Sequence, residues 1–322
     1  MEEIRNVGAG ALARAKGAVC RSVHREDRRD RGTEMSFVIT TVSPQTVVQV
    51  SDTRVSSLAD KSVLSEVQRK SLIVMGTQAH FVIGWSGLAR IGGHDTGKWL
   101  FEQLCGMNAP ELTLKEIAAN LTGQATLRFS ALEASAHDKR CRFVLGGWHK
   151  ISGESRPFWC VIFNDLDAVR HEGRLGLDWK RSPVARPEFL YSIGSFAPIE
   201  RPFSVTVIGD FDPAKLKTGF KGLKRLMKKG AGKSAIGSVC RQIALQAAQY
   251  RGTINQNLIS VEMDNRGHVR CSYVPEGGTE EAILPDILGT QRSFTQTTVH
   301  TALTGDQIRL RLHRKVFRRT AT

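Results

Sequence analysis

No stretch of the 322-residue chain approaches the roughly 18 consecutive apolar residues that a membrane-spanning helix needs. The first thirty residues likewise lack the continuous apolar segment of a secretory signal. These absences point to a soluble, intracellular protein with no membrane contact, and we expect a cytoplasmic location. Paired cysteines are missing as well. Cys20, Cys105, Cys141, Cys160, Cys240 and Cys271 form neither a CxxC pair nor a Cys/His cluster with zinc spacing, and His80, His94, His137 and His149 do not fall at metal-ligand intervals. Reduced thiols serving as small hydrophobes are the expectation, with no metal and no cofactor. No internal repeat of solenoid period is visible. Acidic residues are the scarcer charge, 31 against 46 Lys and Arg, which gives a net charge of +15 and a pI near 9.9. Such a balance suits an acidic partner. The basic tail lacks the interleaved aromatics of a nucleic-acid-binding segment, so it reads as solvated or in contact with an acidic partner, and nucleic acid is not expected.

What is present is enough apolar residue, 41% of the chain, for one large domain with tails. Residues 1–35 carry Arg28, Arg29 and Arg31 among Glu26, Asp27 and Asp30, with almost no large apolar side chains, and cannot bury enough surface to offset their ordering entropy. They are expected to be a disordered extension, either removable or upstream of the true start. Met35 stands directly before the first patterned strand, and Ser36 is small enough for the methionine to be trimmed. The domain is expected over 36–280 and a basic C-terminal tail over 281–322.

From Ser36 the pattern is that of strands. SFVITTV and TVVQVSD flank the turn Ser43-Pro44-Gln45, and KSLIVMG and AHFVIGW form a second hairpin. Two helices follow, over roughly 95–104 and from a capping box at Thr113 with Glu116. Strands return at CRFVLGGWH, PFWCVIFNDL and FSVTVIGD. Asp212-Pro213 then predicts a helix start with proline at its first position, a second helix begins at Ser234, and a hairpin around Asn265-Arg266-Gly267 closes the domain. The lysines of the helix after Pro213 read as a solvated face. Paired helices between hairpins argue against a doubly wound parallel sheet and for an α+β fold of antiparallel sheets covered by helices.

The stretch Met35 to Lys70, in this element order, resembles the proteasome-type N-terminal nucleophile hydrolases, the family of proteasome β subunits and the bacterial ATP-dependent peptidase subunit. The resemblance runs from Ser36 to Val274. It rests on VSDTR at 50–54, Lys70 opening KSLIV, SGLA at 86–89 and the closing NLISVEMDNRGHV. In that family the turn aspartate lies sixteen residues after the nucleophile; here 52 − 36 = 16, which selects Ser36 over Thr40 and Thr41.

That resemblance implies a four-layer αββα sandwich of two antiparallel sheets between helix layers, with Ser36 as a nucleophile at the start of the mature chain. Its own α-amine, whose ordinary pKa is about 7.7–8.0, would be the base. Lys70 would disfavour protonation of that amine, Asp52 would fix Lys70, and the backbone at Ser86 and Gly87 would stabilise the oxyanion. Asp210 and Thr253 are the supporting candidates. The loop Gln249–Gln256 lacks the family's aspartate, Arg90 stands where the family often has Asp, and Gly209-Asp210 replaces a glycine-serine turn. The implied function is a proteasome-like peptidase or amidohydrolase acting on peptides or proteins, assembled as a homo-oligomeric ring with an ATP-dependent unfoldase as partner. Two alternatives stand beside it. One is a catalytically inactive structural subunit or binding module in which Ser36 stays internal; the other is a basic nucleic-acid-binding protein.

Overall fold

The computed structural model describes residues 33–34, 36–57, 62–66, 68–136, 138–169, 178–181, 184–196, 203–209, 211–274, 285–289, 296–300 and 308–313. Asp210, Met35, Cys20, His137 and the extension before Thr33 lie outside the described residues. The strands are, in chain order, β1 (Thr33–Glu34), β2 (Phe37–Val42), β3 (Thr46–Asp52), β4 (Val55–Ser57), β5 (Val63–Ser65), β6 (Ser71–Met75), β7 (Ala79–Gly87), β8 (Arg90–Ile91) and β9 (His94–Asp95). Helices α1 (Thr96–Gly106) and α2 (Leu114–Ser130) follow. Then come β10 (Cys141–Ile151), β11 (Glu154–Phe163), β12 (Leu166–Val169), β13 (Asp178–Arg181), β14 (Leu190–Ser195) and β15 (Ser204–Gly209). Helices α3 (Lys217–Lys228) and α4 (Lys233–Tyr250) precede β16 (Leu258–Asp264), β17 (Val269–Val274), β18 (Asp286–Gly289), β19 (Gln296–His300) and β20 (Ile308–His313).

Two large sheets carry the mixed α/β fold. One has the order β15-β2-β3-β16-β17-β20-β19 and the other β14-β11-β10-β7-β6-β18. All pairings are antiparallel except that of β18, which runs parallel to β6 with Ile287 opposite Ile73. The expectation of purely antiparallel sheets is corrected at this edge, because β18 lies beside β6 in the other sheet rather than beside β17, which it follows in the chain. The segment expected as a tail thus contributes β18, β19 and β20.

Strand β2 is buried at every position, because its two faces meet different layers. Phe37 and Ile39 pack with Val48 and Val50 against Leu223, Ile236, Cys240 and Ile243 of α3 and α4. Val38, on the opposite face, packs with Val144 and Phe163 of the other sheet. A strand covered on both sides reads as a continuous apolar run rather than an alternation. The second sheet divides in the same way. Leu72, Val74, Phe81 and Ile83 face Leu100, Leu104, Ile117 and Leu121 of α1 and α2, while Ile73, Met75 and Val82 join Val42, Val47 and Trp148 between the sheets. Each such side chain contributes about 1.5–3 kcal/mol by leaving water.

Polar groups also link the sheets. Gln49 donates to Thr40 Oγ1 at 2.9 Å and accepts from Ser71 Oγ at 2.9 Å, and Ser71 lies 3.0 Å from Ser51 Oγ, all of them buried. Thr41 Oγ1 donates to the Val48 carbonyl at 3.3 Å. The two threonines are therefore engaged in holding strands together. The capping box at Thr113 and Glu116 is present as expected. The helix expected from Pro213 begins later, at Lys217. Asp212 Oδ1 instead accepts from the Ala214 amide at 2.9 Å, closing a local turn that competes with the first helical turn.

Candidate active site

Asp52 ends β3, and its neighbour in the sheet is β2, whose first residue, Phe37, follows Ser36 in the chain. The Phe37 amide donates to Asp52 Oδ1 at 2.7 Å, and the Lys70 ammonium donates to the same oxygen at 3.0 Å. The other carboxylate oxygen accepts from the Arg54 amide at 3.2 Å, and Lys70 Nζ also donates to the Arg54 carbonyl. Ser36 is 2% exposed, and Asp52 and Lys70 are fully buried. The hairpin and the strand that opens at Ser71 thus bring Ser36, Asp52 and Lys70 together although 34 residues separate the first from the last (70 − 36 = 34). One carboxylate oxygen fixes both the peptide unit after Ser36 and the lysine.

A buried pair of this kind is costly to desolvate. Burial pushes the Asp52 carboxyl above its ordinary range, opposed by the charge of Lys70 and by the Phe37 and Arg54 amides. Burial pushes Lys70 below its ordinary value, opposed by Asp52 and more weakly by Glu66, while Arg54 adds to the lowering. Both shifts narrow the gap in proton affinity between carboxyl and amine.

Of the remaining sequence candidates, Ser86, Gly87 and Thr253 lie among the described residues. The Trp85 amide donates to the Lys70 carbonyl at 3.2 Å, which ties the strand carrying Ser86 to Lys70. Ser86 is buried, and Gly87 has φ +112; a Cβ on it would lie 2.1 Å from the Arg140 carbonyl oxygen. Gly209 has φ +115 and sits opposite Phe37, so close that a Cβ would lie 1.7 Å from the Ser36 carbonyl oxygen. Only glycine fits there. Thr253 is buried, and its hydroxyl has no hydrogen-bond partner among the described residues.

A ring of residues to which the sequence assigned no role lies beside Lys70. Arg54 Nε donates to both oxygens of Glu66, at 3.0 and 3.3 Å, and its Nη1 donates to the Gly252 carbonyl at 2.6 Å. Asn255 accepts from the Thr53 amide at 3.1 Å and donates to Glu66 Oε2 at 2.6 Å. The loop holding Thr253 is thereby fastened to the turn after Asp52. Its partners lie about two hundred residues apart in the chain, which leaves no local pattern to find; the polar run Arg251–Asn257 before a strand was the available signal.

Other reactive groups are accounted for differently. Burial pushes the Cys240 and Cys271 thiols up to about 12 and Cys160 higher still, so none is a nucleophile at neutral pH. His94 accepts at Nδ1 from Arg128 Nε at 3.2 Å, and its Nε2 lies 3.0 Å from Thr96 Oγ1, which donates to the Leu88 carbonyl. With Nδ1 accepting, Nε2 carries the proton. Burial and the Arg128 charge hold this imidazole at a pKa of about 4. Arg90 pairs with Asp95 at 2.8 Å. Among the described residues no group of His, Cys, Asp or Glu is arranged to hold a metal, and no helix is long and apolar enough to cross a membrane.

No family model matches the chain, and no curated protein matches it. Among solved structures it is similar to Anbu (ancestral beta-subunit) from Yersinia bercovieri, at 13% identity and a TM-score of 0.45, covering 70% of this chain and 80% of that one. It is similar also to the Anbu (Gly-1) mutant from Hyphomicrobium sp. strain MC1, at 14% identity and a TM-score of 0.45, over 71% of this chain and 81% of that one. Anbu from the same strain matches at 13% identity and a TM-score of 0.45, over 71% and 82%. The sequence resemblance to proteasome β subunits and the bacterial ATP-dependent peptidase subunit is corrected by these findings: no family model supports it, and the Anbu structures named are too distant to assign this chain to a family.

Proposed function

We propose that this protein hydrolyses amide bonds, with Ser36 as nucleophile once Ser36 is the first residue of the chain. The observation that carries this reading is Asp52 Oδ1, which accepts at 2.7 Å from the amide following Ser36 and at 3.0 Å from Lys70, the carboxylate and the ammonium both fully buried. A charged pair buried at that cost, beside a serine at a strand start, is the arrangement that perturbed catalytic groups require.

The steps follow from the chemistry of those groups. The free α-amine of Ser36 takes the Oγ proton as Oγ adds to the substrate carbonyl. The Lys70 charge, fixed by Asp52, keeps that amine unprotonated at working pH. The backbone amides of Ser86 and Gly87 are the proposed donors to the oxyanion. Collapse expels the amine leaving group with the proton held on the α-amine, leaving Ser36 Oγ as an ester. Water, deprotonated by the same amine, then releases the acid and restores the hydroxyl. Thr253 and Asp210 are proposed to support the terminal amine. The substrate proposed is a peptide or protein, and the helix-sheet-sheet-helix layering is proposed with it. A self-assembled ring working with an unfoldase is the corresponding assembly, tested by native mass measurement.

The test is a chain beginning at Ser36, assayed on a fluorogenic peptide. Hydrolysis that disappears in Ser36→Ala and in Lys70→Ala supports the mechanism; activity retained in both removes it. One observation favours a second reading, a binding or structural protein with Ser36 internal: Thr33 and Glu34, ahead of Ser36, pair with Ser57 and Ser56 of β4. N-terminal sequencing of the natural protein decides between the two. A chain beginning at Met1, with no activity in the form beginning at Ser36, leaves only the second.

A further inference from the structure

Helix α3 presents a cationic surface that nothing in the proposed chemistry uses. Between 213 and 233 the chain holds no acidic residue. Lys217, Lys221, Lys224, Arg225, Lys228 and Lys229 are all exposed, and none of them forms an ion pair among the described residues. At 100° per residue, Lys217, Lys221, Lys224 and Lys228 fall within an arc of roughly 60°, with Arg225 and Lys229 alongside. The stripe runs about 16 Å along the helix axis. The opposite face is committed to the protein: Leu216, Leu223 and Met227 are buried against α4 and the sheet, with Phe220 packed beside them.

The stripe does not serve the helix itself. Lys217 occupies the first turn, where the helix dipole favours an acid, and no acid is present there. Lys217 and Lys221, Lys221 and Arg225, and Lys224 and Lys228 are like charges at i,i+4, each pair destabilising. A second copy of this chain, at +15, offers no net opposite charge. The buried apolar face excludes insertion into a lipid surface, since no hydrophobic side remains free. Interfaces with proteins are depleted in lysine and centred on apolar or aromatic anchors, and the stripe has five lysines and no such anchor. The absence of an exposed aromatic on it also removes the stacking platform that single strands need. A run of unpaired cations this long can neutralise several phosphates of a duplex, which carries one negative charge per about 1.7 Å of its axis.

We propose that the exposed face of α3 docks on the phosphodiester backbone of duplex DNA without reading its sequence. The sequence alone reads these lysines as a solvated face; the structure adds that all are exposed on one helix with no ion-pair partner among the described residues. This inference is independent of Ser36 and its chemistry.

The experiment is fluorescence anisotropy of the full chain with a 20-base-pair duplex of mixed sequence. Binding is expected to weaken about 500-fold between 50 and 200 mM salt if five phosphates are neutralised, and to be indifferent to base sequence. The variant Lys221→Glu/Lys224→Glu/Lys228→Glu should weaken it by more than about 100-fold at 50 mM salt, and the corresponding Gln variant by less. Arg314→Gln/Lys315→Gln/Arg318→Gln/Arg319→Gln, which removes charge near the C-terminus, should leave most of it. Circular dichroism checks that the variants fold. No binding at 50 mM salt, wild-type binding by the folded Glu variant, or tighter binding to polyglutamate, anionic vesicles or duplex RNA would overturn the proposal.

Discussion

Two of the places where this molecule gathers ionisable groups differ sharply in their access to water. Around Ser36 they are packed dry: Asp52 and Lys70 are fully buried, and each oxygen of the carboxylate has a donor. Between α1, α2 and the β8–β9 turn they line an open cleft of about 560 Å³ that includes His94, Asp95, Lys98, Glu102 and Arg128. Neither Ser36 nor Asp52 nor Lys70 lines that cleft. The roomy site holds a histidine whose two ring nitrogens are both occupied and carboxylates paired with nearby cations. The tight site holds a charge pair kept from water and a serine beside it. On the proposed function the chemistry belongs to the buried charge pair rather than to the roomier cleft.

The largest expected effect breaks the tight site directly. In a chain beginning at Ser36, Ser36→Ala should lower the peptidase rate by at least about 10³-fold, read with a fluorogenic peptide. Next is the pair itself. Lys70→Met should destabilise the fold by about 3–5 kcal/mol in urea titration, because it strands a buried carboxylate, whereas Asp52→Asn with Lys70→Met should recover most of that loss. Gly209→Ala comes third. Its new Cβ meets the Ser36 carbonyl at a positive φ, so a loss of roughly 1–3 kcal/mol and a disproportionate fall in kcat are expected.

The ring around Lys70 should be less sensitive. Asn255→Ala leaves the Thr53 amide unpaired, for about 1–3 kcal/mol by the same titration. The smallest effect belongs to the cleft. His94 has a folded pKa of about 4, below its ordinary 6.5, so it favours the folded state above pH 6.5 and that contribution is lost as the pH falls towards 4. His94→Gln should flatten the decline in urea midpoint between pH 6.5 and 5, by roughly 1 kcal/mol after screening, and leave peptide hydrolysis at pH 7.5 unchanged. A large loss of hydrolysis in His94→Gln would reverse the comparison between the two sites.

Much of the tight site is legible in the sequence, because its geometry is local. The hairpin over Phe37–Asp52 places Asp52 one strand away from Ser36, and a single further strand brings Lys70. Short-range patterns such as the Thr113–Glu116 box and the Gly267 turn are legible for the same reason. The contacts of Asn255 with Thr53 and Glu66, and of Arg54 with Gly252, are not, since they join residues about two hundred apart in sequence; the Arg54–Glu66 pair spans only twelve residues but carries no pattern of its own. The parallel edge strand β18 escapes too, because four residues carry too little periodicity to announce a strand. The late start of α3 at Lys217 shows a local aspartate turn prevailing over the proline signal.

The most direct test compares two chains differing by one residue, beginning at Met35 and at Ser36, with both N-termini verified by intact mass. The mechanism requires a free amine on Ser36, so it predicts hydrolysis of a fluorogenic peptide by the second chain and none by the first. Equal activity in the two, or none in the chain beginning at Ser36, would contradict it.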